Sequence, residues 1–284
     1  VRIEDEEAMN TTFFTACNAP YWPFVVPYAT AVLIHNDDSM VEICVEDASL
    51  FQREHGRSLQ LVSEAFPDRV LIREGSFKGT IPNSVRFLET PLTRTEFTYI
   101  GDVDILILDN DITSVHAAHM GRTGLPYSNC VRSGTRRLTG LHFTRTDAHY
   151  PLRVPSDLDL KGNDEELLFR LVVEKGLVLP DPLEAFRPVH GIHLSLARAP
   201  CPSPNGRPHW GLTAHYARRY RDLWSNPVWA EVVPLLHPSF RWLLLVLEAA
   251  LQAKNPDIEI YRWRETKNLW KTFSDMPRGS WTPG

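Results

Sequence analysis

Short apolar runs alternate with helix-spaced apolar positions along the first hundred residues of this chain. Thr11–Cys17 and residues 41–46 are brief, apolar and rich in β-branched or aromatic side chains, a pattern that predicts strands. Between them residues 21–34 carry helical spacing, and Pro23 and Pro27 are expected to confine the helix to the second half of that stretch. Residues 51–66 read as a helix, 69–73 as extended, and 84–92 as a helix up to a break near Pro91. Phe97–Ile100 is again a strand, followed by a second apolar run over 105–108. This βαβ alternation predicts an α/β fold with a mainly parallel, doubly wound sheet flanked by helices, whose ligands sit at the carboxyl ends of the strands.

Further along, 113–121 reads as helical, and 127–131 and 138–144 as extended. Residues 163–175 form a well-marked helix, with Asp164, Glu165 and Glu166 in the first turn, where the macrodipole favours acids. A proline-rich stretch, 180–208, surrounds Val189-His190-Gly191-Ile192-His193-Leu194. The remainder reads as mostly helical, clearest over 240–253, with loop composition from 276 to 284. The expected division is a domain over 1–208 and a helical C-terminal extension over 209–284.

With 284 residues the chain can bury a substantial core, and its 43% hydrophobic content is ordinary for a globular protein. Thirty basic against 35 acidic side chains give a net charge of −5, so no global field attracts a nucleic-acid backbone. Cys17, Cys44, Cys130 and Cys201 are scattered, without the spacing of a thiolate zinc site or a disulfide framework, which points to a reduced, cytoplasmic protein. The acidic residues 1–7 do not read as a secretory signal, and the most apolar run, 242–251, carries Glu248 and is too short to span a bilayer. Seven of the eight tryptophans stand from Trp210 onward, interspersed with Arg218, Arg219 and Arg221. That mix suits a packed helical subdomain, or contact with acceptor sugars or the inner membrane surface.

The chemistry concentrates at Asp102-Val103-Asp104, where the strand Phe97–Ile100 gives way to the next apolar run. Two carboxylates one residue apart are costly to bury without a cation. In an extended segment they face opposite ways, so joint use needs a bend, which Gly101 is expected to permit. Oxygen ligands with one imidazole suit Mn²⁺ or Mg²⁺. Ser133-Gly134-Thr135-Arg136-Arg137 reads either as a solvated hairpin turn or as a small basic loop for an anionic group.

In order and spacing these segments resemble the metal-dependent glycosyltransferases of the GT-A fold, most closely family 8, over roughly the first two hundred residues. Phe14-Thr15-Ala16-Cys17-Asn18-Ala19-Pro20-Tyr21 is similar to the opening segment of that family, Arg86 in Ser84-Val85-Arg86-Phe87-Leu88 to its donor-touching arginine, and Tyr99-Ile100-Gly101-Asp102-Val103-Asp104 to its metal strand. Thr139-Gly140-Leu141-His142-Phe143 resembles the small-residue segment near the sugar, and Asn163-Asp164-Glu165-Glu166 the acidic or amide pair opening a helix.

The resemblance implies a nucleotide-sugar donor held by Thr15, Ala16, Cys17, Asn18, Tyr21, Arg86, Asp102, Val103, Thr139 and Gly140. It implies Asp164 and Glu165 beside the anomeric carbon, and Mn²⁺ or Mg²⁺ on Asp102, Asp104 and His193, with His190 as rival ligand. The segment after His193 departs from the family at Leu194, Leu196 and Ala199, while Pro200 matches and Arg198 stands where a cation is needed. The implied activity is metal-dependent transfer, with retention, of a sugar to a saccharide or glycolipid. The rivals are a sugar-phosphate nucleotidyltransferase and an inactive carbohydrate-binding protein of the same fold. The nucleotidyltransferase would need a Gly-Thr-Arg loop after the first strand, whereas Gly134-Thr135-Arg136 follows the metal strand.

Overall fold

A computed structural model describes residues 10–188, 190–194 and 213–252. In chain order the elements are β1 (Thr11–Cys17), α1 (Trp22–His35), β2 (Ser39–Val45), α2 (Ala48–Ala65), β3 (Val70–Glu74), α3 (Pro82–Leu88), β4 (Phe97–Ile100), β5 (Ile105–Ile107), α4 (Ile112–Thr123), β6 (Tyr127–Ser128), β7 (His142–Arg145), α5 (Thr146–His149), α6 (Asp164–Glu174), β8 (Gly191–His193), α7 (Ala214–Trp224), α8 (Pro227–Val232) and α9 (Pro238–Gln252). The sequence expectations for 1–7, Leu196, Arg198, Ala199, Pro200, Cys201, Trp210 and 276–284 lie outside the described residues.

Six strands form one sheet in the order β3-β2-β1-β4-β7-β6. β3, β2, β1 and β4 run parallel, and β7 and β6 are antiparallel additions. The fold is therefore mixed α/β with a mostly parallel central sheet flanked by helices. From β1 the chain winds outward through β2 and β3, then returns to β4 on the other side of β1. The strand order reverses there, and a crevice opens beyond the carboxyl ends of β1 and β4.

β1 is buried at every position, and its threonine hydroxyls are all hydrogen-bonded: Thr11 to the Thr113 hydroxyl at 2.7 Å, Thr12 to the Thr95 hydroxyl at 2.8 Å, and Thr15 to the Gly101 carbonyl at 2.8 Å. α1 is buried except at Pro23, Ile34 and His35, because it packs against β2, β5, α2, α8 and α9 at once. That encirclement explains its lack of an apolar stripe. The prolines do not delay the helix, contrary to expectation. Pro23 sits in the first turn, where its missing N–H is no loss, and Pro27 removes a single interior bond.

Side-chain caps set the starts of α2, α6, α7 and α8. Asp47 accepts from the Leu50 amide at 2.7 Å, so α2 begins three residues before the expected Phe51, and Asn163 accepts from Glu165 and Glu166 to open α6. α3 starts at Pro82 and ends at Leu88, short of Pro91. α7, α8 and α9 contribute Tyr220, Leu223, Trp229, Phe240 and Leu243 to the same hydrophobic core as α1 and β1, with Phe24 and Phe240 in edge contact at 5.6 Å. Trp229 is fully buried, so this tryptophan packs the core. No helix among the described residues is long and apolar enough to cross a membrane.

Candidate metal site

β4 ends at Ile100, and the chain leaves the main sheet at the aspartate pair. The Ile105 amide donates to the Asp102 carbonyl at 3.3 Å, closing a turn over the two acids. Beyond the turn, β5 pairs antiparallel with β8 in a separate two-stranded sheet, with Ile105 opposite His193 and Leu106 opposite Ile192. The Leu194 amide donates to the Asp104 carbonyl at 2.7 Å and extends the ladder. The His193 ring consequently faces both carboxylates: Nε2 stands 3.9 Å from Asp102 Oδ2 and Nδ1 3.7 Å from Asp104 Oδ2. One ligand atom from each of Asp102, Asp104 and His193 lies within 4.8 Å of the others.

This donor set fits a hard divalent cation. Asp104 is 4% exposed, and two carboxylates with an imidazole and room for water are what Mn²⁺ or Mg²⁺ accepts. His190, the rival ligand, is not brought to the acids. Its Nε2 lies 2.8 Å from His116 and its Nδ1 3.4 Å from Asp109.

Glycines shape the site by close approach. A Cβ on Gly101 would stand 2.7 Å from the Tyr99 ring, so the small residue admits that ring; its φ lies outside the left-handed region, and no unusual bend requires glycine there. Gly191 is more constrained, since a Cβ would fall 1.9 Å from the Leu106 carbonyl oxygen. β8 lies against β5 only because that position has no side chain.

Beside the acids a pocket of about 320 Å³, including space open to solvent, is lined by Ala16, Cys17, Asn18, Tyr21, Asn83, Arg86, Asp102, Val103 and Asp104. The loop after β1 is held by the Ala19 amide donating to Glu46 at 2.8 Å. Burial pushes the Cys17 thiol up, with Cys44, Glu46 and Asp104 adding to the effect, so it is no thiolate nucleophile.

Arg86, on α3, is 3% exposed and is gripped by Asp102 on one side and Asp164 at 3.0 Å on the other. Burial works against its charge, but Asp102 and Asp164 outweigh that and raise its pKa. Arg132 makes a two-pronged ion pair with Glu165. Gly140 lies between these pairs, since a Cβ there would stand 3.2 Å from Arg86 Nη2 and 4.0 Å from Glu165 Oε1.

Asp164 and Glu165 thus stand behind Arg86, outside the residues that line the pocket. Thr15 and Thr139 are also off the lining: Thr15 binds Gly101, and Thr139 accepts a place in a buried network with Asn129. Asn83 was not singled out from the sequence, although it precedes Arg86 by three residues and therefore shares its helix face. Residues 133–137 form the tip of a hairpin closed by a Val131–Leu138 bridge, with Gly134 at φ 69° and Arg137 facing Glu166 at 3.4 Å.

No protein-family model and no curated protein matches this sequence. Among solved structures, S. aureus TarS 1–349 is similar with a TM-score of 0.43 and 13% identity over 92% of this chain and 92% of that one. The mannosyltransferase PcManGT from Pyrobaculum calidifontis, in complex with GDP-Man and Mn²⁺, is similar with a TM-score of 0.41 and 13% identity, covering 95% of this chain and 84% of that one.

Proposed function

We propose that the chain is a metal-dependent glycosyltransferase of the GT-A type, akin to family 8, moving a sugar from a nucleotide-diphosphate donor to a saccharide or glycolipid with retention of configuration. One observation carries this reading: Asp102, Asp104 and His193 converge within 4.8 Å at the strand-order reversal of a mainly parallel sheet, and the two aspartates stand on the wall of a pocket that Arg86 also lines.

In this reading Asp102, Asp104 and His193 hold Mn²⁺ or Mg²⁺. When bound, the cation offsets the charge that develops on the departing diphosphate. Ala16, Cys17, Asn18 and Tyr21 form the wall for the nucleoside, where the chain leaves β1. Arg86 presents a fixed positive charge toward phosphate or sugar oxygens, and its two carboxylate partners keep the guanidinium in one orientation. Asp164 would hydrogen-bond the transferred sugar if the donor draws Arg86 from it, and Glu165, held by Arg132, would keep the first turn of α6 in place.

The test is release of nucleoside diphosphate from a panel of nucleotide-sugars, with and without Mn²⁺, by wild type and Asp104→Asn. Mn²⁺-dependent release that Asp104→Asn lowers by at least about a hundredfold is expected. Release indifferent to both metal and mutation refutes the proposal, and pyrophosphate exchange in place of release would favour nucleotidyl transfer.

A further inference from the structure

His190 begins the approach of the chain to β5, and a line of buried polar groups ends on its ring. His190 Nε2 lies 2.8 Å from His116 Nε2, His116 Nδ1 lies 2.8 Å from Ser128 Oγ, and Ser128 Oγ lies 2.9 Å from His119 Nδ1. All four residues are 2% exposed or less. At the other face of the His190 ring, Nδ1 is 3.4 Å from Asp109 Oδ2, which also accepts from the Tyr216 hydroxyl at 2.8 Å. Tyr99 packs edge-on against both the His116 and His190 rings.

The carboxylate dictates the protons. Asp109 can only accept, because burial would raise its pKa but the hydrogen bonds of His190 and Tyr216 keep it below the ordinary value. His190 therefore carries its proton on Nδ1, and its bare Nε2 accepts from His116 Nε2–H. The bare Nδ1 of His116 then accepts from the Ser128 hydroxyl, while His119 meets the Ser128 oxygen through Nδ1 and faces Glu184 through Nε2 at 3.4 Å. The links from Asp109 to Ser128 close with a neutral His116, in keeping with the burial that, with the nearby His190, His119 and His142, holds its pKa well below the usual imidazole range.

The backbone tells the same story. His190 is left-handed at φ 59°, a conformation that costs a non-glycine residue about 1 kcal/mol or more. It persists because the Leu108 and Asp109 amides both donate to the His190 carbonyl, at 2.9 and 3.3 Å, while the ring is held from two sides. The next residue is Gly191, pressed onto Leu106, and two residues later His193 meets the acids.

We infer that His190 is a positioning residue for the candidate metal centre: tied through its ring to His116 and Asp109, it fixes the register of β8 and thereby where His193 stands. The inference rests on the metal-centre reading above.

Mn²⁺ titration calorimetry on the full chain tests it, together with amide exchange at Ile192 and Leu194 in metal-free protein. The variants are His193→Ala, His190→Asn (which tolerates the left-handed backbone), His116→Leu (no donor) and His116→Gln (a donor restored). Expected are a 10- to 100-fold loss of Mn²⁺ affinity, in rough terms, in His190→Asn and His116→Leu, and near wild-type affinity in His116→Gln. Exchange at Ile192 and Leu194 should quicken in the two weakened variants while β1 amides keep wild-type protection, which marks them as folded. If His193→Ala loses Mn²⁺ but His190→Asn and His116→Leu bind like wild type, the positioning role is overturned and the metal centre stands. If wild type shows no His193-dependent binding, the metal centre itself falls and takes the inference with it. Unchanged exchange at Ile192 and Leu194 in His190→Asn overturns the anchoring of β8 whatever the metal does.

Discussion

Gly191→Ala is the sharpest probe of how backbone packing builds the candidate site. The added methyl would lie 1.9 Å from the Leu106 carbonyl oxygen, 2.9 Å from its carbon and 3.1 Å from Ile107 Cα. Close carbon-to-oxygen contacts settle at about 3.3 Å, so β8 must retreat by roughly 1.4 Å. Backbone is the obstacle, and no side chain can rotate away. The cost to the fold is that of overpacking, about 1–3 kcal/mol. The effect on the site is larger, because metal ligands tolerate only about 0.2 Å of displacement. Mn²⁺ calorimetry should show affinity reduced by about 10- to 100-fold or lost, with a small drop in melting temperature. Gly121→Ala is the control: it lies in α4 with nothing within 4 Å of its Cβ, and should stabilise by about 0.5–1 kcal/mol without touching Mn²⁺ binding. Wild-type Mn²⁺ affinity in Gly191→Ala would refute the claim that β8 packing positions His193.

Other perturbations follow from the same contacts. Arg86→Met removes the cation between Asp102 and Asp164 and should cost about 2–4 kcal/mol in urea unfolding, while Mn²⁺ binding is retained or tightened because Asp102 loses a competitor; loss of Mn²⁺ binding would contradict this. Burial, with His237 nearby, lowers the His55 pKa to about 4, and burial, with Lys175 nearby, does the same for His149. The unfolded chain therefore binds more protons below about 6.5, so stability is complete above that pH and is lost as pH falls toward 4, by up to about 2 kcal/mol per histidine at pH 5. Equal urea midpoints at pH 7.5 and 5 would exclude this linkage. Trp229→Ala should cost about 3–5 kcal/mol, since the ring is fully buried in the core that α8 shares with α1 and α2, and a loss below 1 kcal/mol would detach those helices from the core.

The sequence alone determined the alternation of elements, because buried strands and amphipathic helices leave periods that local chemistry sets: Thr11–Cys17 and Phe97–Ile100 match their strands end to end. It also drew attention to Asp102 and Asp104, since charged groups at the end of an apolar strand demand a reason, whereas Arg86 stood out only through the resemblance to a known family. The helices at Ala48 and Pro82 start a few residues before the periodicity places them, because caps and first-turn prolines are single-residue signals. The choice between His190 and His193 belonged to the tertiary structure. The two lie three residues apart, and only the pairing of β8 with β5, about 85 residues away in the chain, turns one ring toward the acids and the other toward His116. The ion pairs that hold Asp164 and Glu165 behind Arg86, and the closeness of Gly191 to Leu106, are likewise products of long-range packing. Periodicity records which face of an element is buried, but which distant segment covers that face is decided only when the whole core closes.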